Sequence, residues 1–514
     1  MKKIIAPLLL GAALSSSAFG ADDSLKQEIE ALKVQMAELK SAQTKLNVDA
    51  LRAQVSEIKA HDAGDNVKFN IDFRTAYDII DYKMQTPTGA STSTDNGVWT
   101  NKLILGMGAQ PADNLVFKGA LGAYTAFGNN SSSDQNGFQG MDWYGTQSPG
   151  DSTIKLREAY FLYTGDMGDV HYSASFGRRP SVDGFLTNLR AGNADPSSPI
   201  GHNINMEFDG ASFKFDVDKI TGIAGMYFKI CLGRGNSDAD ARFPEFTGYN
   251  GTNFTYANAT AAHTPYSTNG NDAPNMDLAG LIWQIYDDGQ YKVMTNYFKG
   301  WNMMGANFTN LTNVNPMTDN YNVSLTDVGD LTGGAVSFQV NGIGDGISDF
   351  LDDSIFFASY AFSKTDPKGT HSTLATAMGM SPAVTEMLGS SDKETGYSIY
   401  TGVQVPGLMK DQRLGIEYNH GSKYWRSFTY GEDTLIGSKL AARGDAYEVY
   451  YTLPLVGKNL TAQLSYVYID YDYTGSDMFF GSTGTPMDKA QAAANGATFI
   501  ESASDIRLSL RYRY

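Results

Sequence analysis

An all-β fold, a transmembrane antiparallel barrel of about sixteen strands preceded by a short α-helical coiled coil, is what this 514-residue sequence predicts. Three observations predict it. From Val67 onward, apolar and polar residues alternate with period two in one segment after another. The joints between those segments alternate strictly between tight and long. Beyond the first twenty residues, no apolar run reaches the roughly 18 residues that a spanning helix requires, so a membrane could be crossed here only by a sheet closed on itself.

The composition agrees. Gly 54, Tyr 30 and Phe 27 against Pro 16 suit a large antiparallel sheet with many turns. The formal charge of -17 excludes nucleic acid as a partner, because phosphate contacts need a basic surface. Cys231 is the only cysteine, so no intrachain disulfide can form.

Residues 1–20 have the form of a secretory signal. Lys2 and Lys3 are the basic start, Ile4 to Leu14 the apolar core, and Ala18-Phe19-Gly20 a small-x-small cleavage site. Residues 21–62 change character, with Lys, Glu, Gln, Ala and Leu dominant. Leu25, Ile29, Leu32, Met36, Leu39, Gln43 and Leu46 step by four and three, and Leu51, Val55 and Ile58 resume that seam after a stutter. One helix cannot bury such a seam alone, so a homo-oligomer, naturally a trimer, is expected. The barrel itself is expected over 66–514.

In the first strand Val67, Phe69, Ile71 and Phe73 share one face, and Lys68, Asn70, Asp72 and Arg74 the other. Alternation and turn residues place strands near 66–83, 97–111, 114–128, 153–165, 169–180, 203–217, 220–234, 275–287, 290–302, 330–341, 353–364, 394–406, 411–424, 442–453, 459–473 and 502–514. Tight joints are expected at Ala112-Asp113, Asp166 to Gly168, Asp218-Lys219, Asp288-Gly289, Gly342 to Asp352, Gly407 to Lys410 and Pro454 to Lys458, each between longer segments rich in Asn, Ser, Thr and Gly. That order puts both chain ends on the tight-turn side. In the last segment Ile506, Leu508, Leu510, Tyr512 and Tyr514 face one way, and Arg507, Ser509, Arg511 and Arg513 the other.

This terminal strand resembles the C-terminal signal of outer-membrane barrels. Signal, coiled coil, strand count and final aromatic together resemble Gram-negative porins that carry an N-terminal coiled coil, as some sugar and phosphate porins do, from an uncharacterised porin-like family. The resemblance implies an outer-membrane location with the coiled coil in the periplasm, and passive diffusion of small hydrophilic solutes or ions through the lumen. It also implies contact with outer-membrane lipid and lipopolysaccharide. In general porins the third long loop folds into the lumen. Here that position runs from Arg179 through Pro199 and lacks the acidic run of a cation-selective constriction.

Charges in a confined pore act on ions more strongly than charges on an open surface. The pore-lining candidates are Lys68, Asp72, Arg74, Arg178, Arg179, Asp183, Arg190, Asp195, Arg507, Arg511 and Arg513. An arginine strip where the last strand meets the first would favour anions. No catalytic site, metal or cofactor is expected. The alternatives are an outer-membrane lipid hydrolase using His420 and Ser422, and a structural or adhesive envelope protein. Outer-membrane phospholipases are similar in using a His-x-Ser pair on the lipid-facing wall, but their Asn-Gly after the serine is replaced by Lys423-Tyr424. Asp349, Asp352 and Asp353, or Asp470 and Asp472, could hold Ca²⁺, though solvated carboxylates usually hold none.

Overall fold

The computed structural model of the chain describes residues 67–126, 153–179, 181–193, 195–205, 207–236, 239–241, 245–249, 254–257, 266–268, 275–309, 322–344, 346–368, 388–429, 434–476 and 485–514. The signal and coiled-coil segments lie outside these residues. The barrel strands are β1 (Val67–Thr86), β2 (Gly89–Ala112), β3 (Leu115–Ala126), β4 (Lys155–Met167), β5 (Val170–Arg179), β6 (Phe208–Asp216), β7 (Tyr227–Asn236) and β8 (Met276–Asp287). They continue as β9 (Tyr291–Thr309), β10 (Asn322–Asn341), β11 (Ile355–Pro367), β12 (Thr395–Pro406), β13 (Arg413–Gly421), β14 (Gly444–Val456), β15 (Leu460–Tyr471) and β16 (Phe499–Arg513). Each pairs antiparallel with its sequence neighbours, and β16 pairs with β1 from Asp72↔Arg513 to Gln85↔Phe499, so the sheet closes.

The period-two pattern sets what each face meets. On β16 Ile506, Leu508, Leu510 and Tyr512 point out and stay exposed, while Asp505, Arg507 and Ser509 point in and are buried. Leu464 and Tyr466 on β15 repeat the outward set. Aromatic pairs gather on the outer wall near both ends of the strands. Tyr163–Tyr172 at 6.3 Å and Tyr291–Phe338 at 6.5 Å lie towards the tight turns, and Tyr418–Tyr447 at 5.2 Å towards the long loops. Two aromatic girdles flanking an apolar band are how a barrel meets the two interfaces of a membrane.

The alternation of joints holds with two corrections. Residues 84–96 are not a long loop: β1 and β2 run on and meet across Pro87-Thr88, because the Ser/Thr run of 91–94 pairs in register with 81–84. The expected tight turn at Asp218-Lys219 is instead a ten-residue joint, Val217–Met226. It holds a one-turn helix, α1 (Asp218–Thr221), stopped by Gly222 at φ +70°. Strand β6 also starts at Phe208 rather than 203, since the preceding residues belong to a segment inside the lumen.

Tyr514 exchanges backbone hydrogen bonds with Ile71 at 2.9 and 3.0 Å, which keeps the last residue on the tight-turn side. In a Cys231→Ser background, a cysteine at Thr88 should react with a membrane-impermeant maleimide on intact Gram-negative cells. One at Lys458 should react only after the outer membrane is opened. The opposite pattern would invert the topology.

Candidate functional site

The lumen is the candidate site, and two segments from the long-loop side enter it. The first, 181–207, joins β5 to β6. Asp183 and Leu186 take left-handed backbone angles, φ +54° and +82°, as the chain turns inward. Phe185, Leu186 and Ile200 are buried with Ile282, Met294, Phe357 and Tyr400 of the wall. Polar side chains on the wall bind the segment's backbone: Gln404 donates to Leu189 O (3.2 Å), Gln463 to Arg190 O (3.0 Å), and Arg511 and Arg513 to Ala191 O (2.9 and 2.6 Å). Asn203 and Asn296 exchange two side-chain hydrogen bonds.

The second segment, 422–443, joins β13 to β14. Its Trp425, Phe428 and Leu440 are fully buried. Phe428-Thr429 runs parallel to Ile204-Asn205, so the two segments also pair with each other. Lys439 carries the main charge interaction: its Nζ binds both Glu417 of β13 and Glu448 of β14, and Glu448 also takes Arg190 at 3.3 Å. The Tyr400 hydroxyl donates to Glu417 at 2.7 Å. Four ionised groups removed from water are stable only while all are matched. Removing one leaves an uncompensated buried charge, which costs about 3–5 kcal/mol.

His202 lies at the centre of the interface between the first segment and the wall. Nδ1 meets Ser359 Oγ at 2.8 Å and Nε2 meets Ser398 Oγ at 2.9 Å, with the Tyr400 and Trp425 rings beside it. Ser398 donates on to Asn419, and Asn419 to Lys439 O. Complete burial lowers the imidazole pKa from 6.5 to about 3, so the ring is neutral, one nitrogen donating and the other accepting.

The candidates fall into three groups. Lys68, Asp72 and Arg74 face inward, and Arg74 donates to Tyr124 Oη at 3.3 Å. The seam arginines face inward too, but each is matched. Arg507 binds Asp78 at 2.5 Å and lies 3.7 Å from Asp505, Arg511 binds Asp72, and Arg513 lies 3.6 Å from Asp72. On the inserted segment, Arg190 is buried, Asp195 is exposed, and Asp183 is anchored through its backbone to Asn205 Oδ1 (2.9 Å) and Ser197 N (3.1 Å). Arg179 faces inward. Arg178 does not. Being one residue away, it shares the outward parity of Phe176 and clasps Asp209 on the outer wall with two hydrogen bonds, 3.0 and 2.8 Å.

Sequence reasoning missed His202, Glu417, Lys439 and Glu448. Glu417 and Glu448 do have the inward parity of Asn419 and Ala446, so alternation carried their direction. Nothing periodic marks His202 or Lys439 within a long loop.

Filling is one-sided. Among the described residues, the buried members of the three apolar clusters include none from β2–β5, and only Val98, near the long-hairpin end of β2, packs against one of them. Those strands present Lys102, Lys118, Tyr124, Arg157, Glu158, Tyr160 and Arg179 to the lumen. On the outer wall His420 Nδ1 meets Asp445 Oδ1 at 2.9 Å, which also accepts from Tyr418 Oη at 2.6 Å. Ser422 lies just past β13, and its Oγ accepts the Tyr397 N–H at 2.8 Å. Donor atoms of His420, Asp445 and Asp472 lie within 4.8 Å of one another.

A closed antiparallel barrel with an apolar, girdled outer wall and a polar, partly filled interior defines the class of transmembrane β-barrel proteins. Within that class, a family model described as "Protein of unknown function (DUF3373)" matches residues 92–514, and the chain belongs to that family. No curated protein matches. Among solved structures, the chain is similar to in-vitro folded OmpT, an outer membrane protein of Vibrio cholerae (12% identity, 87% of this chain and 97% of that one, TM-score 0.40). It is also similar to Pseudomonas putida OprB (11%, 87% and 94%, 0.42) and to Salmonella typhi OmpF in complex with daunomycin (12%, 88% and 99%, 0.41). At those scores the likenesses say nothing about what this chain carries.

The depressed pKa of His202 has a direct consequence. The unfolded chain takes up this proton near pH 6.5 and the folded one only near 3, so stability from this group is complete above 6.5 and is lost as pH falls towards 3. Hydrogen-exchange protection factors in 181–205, taken relative to the intrinsic exchange rate at each pH, should therefore fall between pH 7 and 4. A His202→Gln variant should lose most of that pH dependence, and an unchanged profile would remove His202 as its source.

Proposed function

We propose that this protein is an outer-membrane pore through which small hydrophilic solutes diffuse along the β2–β5 side of a lumen otherwise filled by its two inserted segments. The observation that carries the reading is the asymmetry of the interior, with buried apolar cores along the wall from β6 round to β1 and an ionic, aromatic wall on β2–β5. A packed core excludes water, whereas a wall of lysine, arginine and tyrosine side chains favours it. The outward apolar band and its aromatic girdles support a lipid setting, with lipopolysaccharide as the outer-leaflet partner. The seam of 21–62 supports a homo-oligomer with its helices in the periplasm. Charge on the open wall, rather than the matched arginines at the β1/β16 seam, favours an anion preference.

Hydrolysis at His420 and Ser422 is not part of this function. Asp445 orients the histidine, but among the described residues no hydrogen bond joins it to Ser422, whose Oγ caps the Tyr397 N–H. Purified protein given phospholipid and Ca²⁺ should release no more fatty acid than a Ser422→Ala variant, and serine-dependent release would overturn this.

In planar bilayers the protein should give discrete conductance steps. Lys439→Met, which breaks the buried ionic cluster, should raise the unit conductance at least about twofold by loosening the filled side. A silent bilayer with correctly folded, heat-modifiable protein would sink the pore reading.

A further inference from the structure

On the outer wall, three successive register rows climb β13–β15 towards the long loops. Ile416, Val449 and Tyr466 form the first, Tyr418, Tyr447 and Tyr468 the second, and His420, Asp445 and Asp470 the third. An aliphatic band that gives way to tyrosines marks the end of the hydrocarbon layer, so the third row stands at headgroup level, within reach of water and its ions. The side chains of His420 and Asp445 are 30% and 34% exposed, and Asp472, just past the end of β15, is exposed as well.

This third row carries more negative charge than its surroundings answer. Asp445 and Asp470 stand directly opposite each other on adjoining strands, where like charges oppose folding. Asp472 is within electrostatic reach of both. Lys489 answers one of the three carboxylates by binding Asp470 at 2.6 Å, and Lys423 lies over the rings of Tyr424 and Tyr473. Among the described residues, the Asp472 carboxylate takes part in no salt bridge or side-chain hydrogen bond.

Carboxylates alone are commonly left to water, but here an imidazole nitrogen converges with two of them, all within 4.8 Å of one another. Two ligand atoms about 2.1 Å from one ion lie roughly 3.0–3.4 Å apart at square to tetrahedral angles. His420 Nδ1 and Asp445 Oδ1, at 2.9 Å, already have that spacing, and a torsion of the exposed Asp472 side chain completes the set. The proton that the His–Asp contact shares is released when a metal takes its place. Neighbours fix the ligands in advance. Tyr418 Oη donates to the same Asp445 oxygen at 2.6 Å, the Tyr397 ring lies 6.2 Å from the imidazole, and the Asp472 N–H donates to Arg443 O at 3.0 Å. His171 and Asp166 make a similar pair at 2.8 Å, yet among the described residues no third metal-ligating side chain converges on it.

We propose that His420, Asp445 and Asp472 form a binding site for a divalent transition-metal ion of the Zn²⁺ type, which fastens together the long-loop ends of β13, β14 and β15. One nitrogen and two oxygen ligands suit such an ion better than Mg²⁺ or Ca²⁺, which prefer oxygen alone. The site lies outside the lumen, so it stands or falls independently of the pore reading.

The test uses untagged, full-length protein freed of metal by a chelator, with Zn²⁺ and Co²⁺ as probes. Zn²⁺ retention is measured by equilibrium dialysis, stability by unfolding temperature, and the ligand set by the visible absorption of Co²⁺. Micromolar Zn²⁺ should be retained and should raise the unfolding temperature, and Co²⁺ should develop ligand-field bands that Zn²⁺ abolishes. His420→Ala and Asp472→Asn should each weaken Zn²⁺ binding at least about tenfold. His171→Ala should leave it unchanged, and millimolar Ca²⁺ should not displace the ion. Unchanged Zn²⁺ affinity and Co²⁺ bands in folded His420→Ala and Asp472→Asn variants overturn the proposal, as does equal displacement by Ca²⁺ or a loss produced by His171→Ala instead. If His420→Ala fails to fold, Asp472→Asn, at an exposed position outside the strands, decides the matter with the same expected loss.

Discussion

In lipid, no backbone N–H or C=O can fall back on water, so a sheet that crosses a membrane must have no free edge. The rest of this structure depends on that constraint, and the seam between β1 and β16 is where it is met. Fourteen register pairs join the two strands, the last residue bonds back to Ile71, and two ion pairs, Asp72–Arg511 and Asp78–Arg507, lock the inner side. The arginines that look from sequence like a selectivity strip are thus also the closure's clasp. Arg511 and Arg513 do more, because the same side chains hold the backbone of the first inserted segment.

Closure creates a second problem, since a sixteen-stranded ring encloses more space than its own side chains fill. The two inserted segments answer it by turning half of the interior into something like the core of a soluble protein. Phe185, Leu186, Trp425 and Phe428 supply the volume, and the Arg190–Glu448–Lys439–Glu417 group supplies the match. Such a group adds little net stability over an apolar one, but it accepts only one register of the two segments. His202, neutral between two serines, extends the same logic: both of its ring nitrogens meet a hydroxyl of the wall.

The barrel was largely legible because period two is a direct consequence of strand geometry. β16, β15 and the first half of β1 show their faces residue by residue, and sixteen predicted strands correspond to sixteen in the closed sheet. Two joints were misread for local reasons. The run Ser91-Thr92-Ser93-Thr94 has loop composition but good β propensity once a partner strand lies beside it. Asp218-Lys219 looks like a turn, but it opens a helical turn that Gly222 ends. Arg178 and Arg179 show how one residue decides a face, and no composition argument could have separated them. The interior was legible only in part. The apolar residues of 181–207 and 422–443 have no period, and their partners are far away in sequence.

That distance bears on the order in which the molecule can be built. Arg190 meets Glu448 across 258 residues, and Arg513 meets Ala191 across 322. Neither contact is available to a nascent chain, nor to a partly zipped sheet whose late strands have not arrived, because loop closure must precede the contacts that reward it. Until β8–β12 and the second inserted segment arrive, the inserted Phe185 and Leu186 are apolar surface without cover. The filled lumen is therefore the last part of the protein to exist. Its tight packing records that the ring has closed, and the long interval before then is one in which this chain must be kept from aggregating.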